Sequence, residues 1–88
     1  MVEKAKIDLT QISEMLGTIV NDRTVPKNIR AAVEEAKTVV EGSAAVELKI
    51  STAISTIDDI INDSNMPMYT RTQIWNIVSM LEQIRRNL

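Results

Sequence analysis

The densest group of side chains able to do chemistry is Asp58, Asp59, Asn62 and Asp63, in the run DDIINDSN. On a helix Asp59 and Asp63 are neighbours one turn apart, where like charges repel. The chemistry on offer is a weak divalent-cation site at a helix end, a small-ligand or metal function for the acidic end. The commoner fate of such a cluster is a solvated face, and a calcium loop needs more oxygen ligands than this run supplies. A second group, Met66, Met68, Tyr69 and Trp75 in MPMYTRTQIW, is suited to contact. Trp, Tyr and Met are enriched at interface centres, so this run is a candidate surface for a protein partner or a second copy. Trp75 lies beside an apolar stripe and not in its middle, which also suits a side chain that covers the rim of a thin core.

Other chemistries are excluded by composition. The chain has no Cys and no His, which removes thiol nucleophiles, disulfides, the usual zinc sites and the best proton-transfer group near neutral pH. Bundles that hold metals in their core point Glu and His inward, and no inward position here carries either residue. No catalytic residue and no cofactor is expected, and the chain reads as a non-enzyme. Net charge is −2 and acidic and basic groups are spread evenly, so nucleic acid is not an expected partner. The apolar runs are too short for a bilayer and Met1 is followed by Glu3, Lys4 and Lys6; no membrane span, no secretory leader and a cytoplasmic location are expected.

The elements that must position these groups are helices. Leu9, Ile12, Leu16, Ile19 and Val20 recur at spacings of three and four, as do Ile29, Val33, Ala36 and Val40. Val46, Ile50, Ala53, Ile57 and Ile60 form a third stripe, and Ile74, Ile77, Val78, Leu81, Ile84 and Leu88 a fourth. The spacing predicts helices over 2–21, 25–41, 43–62 and 66–87. Gly42 is expected to end the second helix in a left-handed conformation and Ser43 to cap the third.

The turn VNDRTVPKNIR, Val20 to Arg30, returns forty-one residues later as INDSNMPMYTR, Ile61 to Arg71. Asn21–Asp22 and Asn62–Asp63 suit a helix stop, because Asx side chains compete for main-chain hydrogen bonds. Pro26 and Pro67 suit a helix start, where a missing N–H costs nothing. Thr24 and Asn65 are N-cap types, and Val25 and Met66 can turn inward to close the core. A carboxylate behind a helix C-terminus is unfavourable. Arg30 and Arg71 are therefore expected to bridge to Asp22 and Asp63, unless each Asp caps the helix that follows. The turn is read as architecture, since one carboxylate and one amide per copy make no cation loop.

VNDRTVPKNIRAA and STAISTIDDIINDSNMPMYTRTQIWNIVSMLEQI resemble a family of short archaeal proteins, an uncharacterised family catalogued under number 0147. The likeness runs from about Ile12 to Ile84. Asn62–Pro67 and Thr72–Ser79 are its most specific parts, and Ala44–Glu47 fits the same register. It implies a four-helix up-and-down bundle and an archaeal, cytoplasmic source, and it implies no activity. The expected fold is thus all-α, one domain over 1–88: an antiparallel up-and-down four-helix bundle of two similar hairpins, about 2–41 and 43–87. Stacked hairpins of the HEAT type are the other packing that the repeat length allows.

Overall fold

A stripe of Ile, Leu, Val and Ala on an otherwise polar helix has to be covered, and four such stripes cover one another. The computed structural model describes residues 9–88, which form α1 (Thr10–Val20), α2 (Lys27–Glu41), α3 (Val46–Asp58) and α4 (Met68–Arg86), with no strand among the described residues. The first predicted helix begins in the sequence at Val2, and that part lies outside the described residues.

Each helix packs on the next, and α1 packs on α4 as well. That last contact closes the ring into an antiparallel four-helix bundle and sets aside the stacked-hairpin alternative. Ile12, Leu16, Ile19, Ile29, Val33, Ile50, Ile57, Ile74, Ile77 and Leu81 are buried along the axis. Each contributes roughly 1.5–3 kcal/mol by leaving water. Val25, Ile60 and Met66 are buried at the end where the α1–α2 and α3–α4 connections lie, and close the core there. Leu88, assigned by spacing to the fourth stripe, is exposed beyond the end of α4.

The helix ends differ from expectation in instructive ways. Gly42 has φ −75° and ψ −175°, so α2 ends in extended chain and not in a left-handed cap. Its carbonyl accepts from Lys49 Nζ at 3.0 Å, so a side chain from α3 holds this end. The N-cap of α3 is Ala45, without a side-chain bond, and Ser43 caps nothing. α2 and α4 begin later than predicted, with Pro26 and Pro67 themselves at the N-cap in extended φ/ψ. A proline there removes a donor the helix would have left orphaned, so neither Thr24 nor Asn65 is needed as a cap. α3 stops at Asp58, so Asp59 and Asp63 do not share a helix face.

Candidate functional site

Antiparallel packing places both connections at one end of the bundle, where they carry matching bonds. Asp22 Oδ1 accepts the N–H of Thr24 at 2.9 Å, and Asp63 Oδ1 accepts that of Asn65 at 2.8 Å. The main chain repeats too: Val25 N–H donates to the Asp22 carbonyl and Met66 N–H to the Asp63 carbonyl, each at 3.1 Å. The second oxygen of each carboxylate reaches across to the other hairpin. Tyr69 donates its hydroxyl to Asp22 Oδ2, and Asn28 Nδ2 donates to Asp63 Oδ2 at 3.1 Å. Thr24 adds a hydroxyl bond to Asp22 at 2.6 Å. Positions 28 and 69 are themselves forty-one apart, so the two cross-links are reciprocal.

The expected Asp–Arg bridges are not made. Arg30 Nε donates to the Val25 carbonyl at 3.0 Å, and an Arg71 guanidinium N–H donates to the Asp63 carbonyl at 2.8 Å. A guanidinium one turn into the following helix faces the carbonyls that the turn leaves over, and those need donors. Nor does either Asp cap the next helix; each closes an Asx turn over its own connection. Hydrogen bonds from Thr24 hold the Asp22 carboxyl below its ordinary 3.8. The Asn65 N–H, then Asn28, do the same for Asp63. Asn21 ends α1 at φ −90°, with no use of the left-handed region.

This arrangement engages the acidic end. Both Asp63 oxygens are hydrogen-bonded, and Asp58 and Asp59 are exposed. Among the described residues no three acidic groups converge as cation ligands would.

At the opposite end a groove of about 550 Å³ opens between α1, α2 and α3, walled by Leu9, Val40 and Val46. On its floor Ser13 donates its hydroxyl to Glu41, and Lys37 Nζ donates to the same oxygen at 2.7 Å. Lys37, then Ser13, hold the Glu41 carboxyl below its ordinary 4.5. A carboxylate so held is a weak base at neutral pH. Sequence reasoning missed this trio because Ser13 and Glu41 meet only through the packing of α1 on α2. The one local signal was Lys37 and Glu41 a helical turn apart.

The outer face of α4 is of another kind. Met68 is 71% exposed and Trp75 53% exposed. Thr72, Asn76, Ser79 and Gln83 are exposed too and share the stripe by their spacing. None of these six is ionisable. Arg71 and Glu82 lie half-buried on its flank, and the exposed Arg86 ends the same line in the last turn of α4. The matching face of α2 exposes Lys27, Glu34 and Glu35. Of the four predicted contact residues, Met68, Tyr69 and Trp75 are exposed, whereas Met66 is buried in the core and belongs to no surface. Tyr69 sits at the edge of the stripe with its hydroxyl given to Asp22. Leu48 on neighbouring α3 is 59% exposed, with Ser51, Thr52 and Ser55 exposed beside it and the charged Glu47 and Asp58 exposed in its first and last turns.

Fold and surface together define a small all-helical bundle protein with interlocked turns at one end and an outer helix face that is uncharged over most of its length. A model of an uncharacterised protein family, UPF0147, matches residues 1–84. The chain belongs to this family. It is 52% identical to UPF0147 protein MJ1419 of Methanocaldococcus jannaschii over 88% of this chain and 84% of that one. It is 42% identical to a UPF0147 protein of Archaeoglobus fulgidus, over 96% of this chain and 97% of the relative. Among solved structures, that of a protein of unknown function, MMP1188, is similar with a TM-score of 0.82 and 52% identity. The match covers 84% of this chain and 85% of that one. None of these names states an activity. No helix among the described residues is long and apolar enough to cross a membrane.

Proposed function

We propose that this chain is a non-enzymatic protein–protein interaction module of the cytoplasm, built from two copies of one hairpin design, which binds through the outer face of its second hairpin. The observation that carries the reading is the exposed line of α4 from Met68 to Gln83, uncharged until Arg86 in the last turn, with Trp75 and Met68 half or more in water. Burial at the centre of an interface selects against charge and in favour of Trp and Met. The turns of the two hairpins correspond, yet Lys27 and Glu34 of the first are replaced by Met68 and Trp75 in the second. A solvated face gains nothing from that exchange. The rival use of the acidic end at Asp58–Asp63 has less support, because Asp63 is already engaged in the turn.

The reading separates from simple rim-covering by stability. Trp75→Glu and Met68→Lys should each leave the melting transition within about 0.5 kcal/mol of the parent, as surface changes do. A photo-crosslinking residue at Thr72 should trap a protein partner at the working concentration, and one at Glu35 on α2 should not. A large loss of stability on Trp75→Glu, with equal trapping at both positions, contradicts the reading.

A further inference from the structure

The groove between α1, α2 and α3 holds its charged groups in two ways. Lys37 and Glu41 satisfy one another at 2.7 Å, and the buried Ser13 gives its hydroxyl to the same carboxylate. The other two, Glu14 on α1 and Lys49 on α3, form no ion pair among the described residues. Lys49 is half-buried, and its ammonium donates to the neutral Gly42 carbonyl at 3.0 Å. That bond fixes the ammonium and leaves it with donors over and no counter-charge. A charge drawn partly out of water calls for a partner of the opposite sign. Independently of the α4 face, we infer that the groove binds a small zwitterion with a branched apolar side chain, of the class of the aliphatic α-amino acids. Lys49 takes its carboxylate and Glu14 its ammonium, and its hydrocarbon lies against Leu9, Val40 and Val46.

The charges select this class over simpler ligands. An anion alone would add a second negative charge to a groove that already holds the unpaired Glu14, and a cation alone would leave Lys49 uncompensated. A wholly apolar ligand would take more water from the Lys49 ammonium and give nothing back. A zwitterion answers both signs at once, and the aliphatic walls favour a hydrocarbon side chain. The walls are also held in place before anything binds. Ser13 ties α1 to Glu41 at the end of α2, and Lys49 ties α3 to Gly42 just beyond it. Holding a site in its bound shape lowers the ordering cost of binding. The volume of about 550 Å³ lies within the range of small-molecule sites. The groove is open to water on one side, so the complex is weak and exchanges fast.

L-Leucine titrated into the full chain, with backbone amide resonances followed by NMR, tests the site. Resonances of Glu14, Val46 and Lys49 should shift and saturate, with Asp22 and Asp63 at the turn end unmoved. Isocaproate, which lacks the ammonium, and isoamylamine, which lacks the carboxylate, should each bind roughly tenfold more weakly, the loss of one charge-assisted hydrogen bond. Glu14→Gln should bring leucine down to the affinity of isocaproate, and Lys49→Met should bring it down to that of isoamylamine. Lys49→Arg keeps the cation and should keep leucine binding, which separates loss of charge from damage to the fold. Absence of any shift up to the solubility of leucine overturns the inference. So do shifts centred away from the groove, equal affinity for the three probes, or leucine binding unchanged by both Glu14→Gln and Lys49→Met.

Discussion

Thr70 stands where the first hairpin has Ile29, and both are fully buried. Its hydroxyl has no hydrogen-bond partner. An unpaired buried hydroxyl costs about 1–3 kcal/mol, so Thr70→Val, which keeps the shape and drops the oxygen, should raise stability by roughly 1 kcal/mol or more. In a domain of this size that is roughly 4–8 °C in melting temperature per kcal/mol. A lower melting temperature instead means that the hydroxyl has a partner. The carboxylates act in the other direction. Asp22, Asp63 and Glu41 all have folded-state values depressed below the ordinary 3.8 and 4.5. Their contribution is therefore complete above those ordinary values and is lost as pH falls through the lower, folded ones. Thermal melts should show stability dropping as pH is lowered below about 4. The triple variant Asp22→Asn, Asp63→Asn, Glu41→Gln should melt lower at pH 7 and lose less on acidification. Asp22→Ala and Asp63→Ala should each lower the melting temperature, and Tyr69→Phe should lower it without unfolding the bundle. Of these partners only Lys37, one helical turn from Glu41, left a signal in the sequence beyond residue type. Asp22 and Arg30 looked like an ion pair, but a carboxylate finds the nearer N–H of Thr24 and a guanidinium the nearer carbonyl of Val25.

At the scale of the helix, spacing carried most of the information. Ile12, Leu16 and Ile19, or Ile74, Ile77 and Leu81, have one way to be hidden together, and that made the four helices and their inward faces readable. A substitution there tests the packing: Leu16→Ala or Ile77→Ala should cost about 2–5 kcal/mol, a large share of the stability of so small a domain. Helix ends were less readable because their groups are satisfied from outside the helix. The Gly42 N–H donates to the Val39 carbonyl and Lys49 of α3 to the Gly42 carbonyl, so this end is held without the left-handed glycine expected there. Pro26 and Pro67 make side-chain caps unnecessary. The early stop of α3 at Asp58 undid the helix-face pairing of Asp59 and Asp63 on which a cation site depended. Melting curves with and without millimolar Ca²⁺ or Mg²⁺ should accordingly coincide, since only a ligand that prefers the folded state shifts them.

Across the molecule, the two ends and the side of the bundle have separate roles. The turn end is fastened by reciprocal bonds, Tyr69 to Asp22 and Asn28 to Asp63, which use up the polar groups that the sequence concentrates there. The groove end is tied by Ser13, Glu41 and Lys37, a trio invisible without the packing of α1 on α2. The side of the bundle is marked by the outer line of α4 from Met68 to Gln83, which carries no ionisable group. In the sequence it showed only as a few Met and aromatic residues; its freedom from charge became visible once exposure sorted Thr72, Asn76, Ser79 and Gln83 into the same stripe. Photo-crosslinking from Thr72, set against the same probe at Glu35 on α2, tests that assignment most directly. A protein partner trapped from Thr72 and not from Glu35 is the expected result. Equal trapping at both positions, or trapping from Glu35 alone, would contradict it.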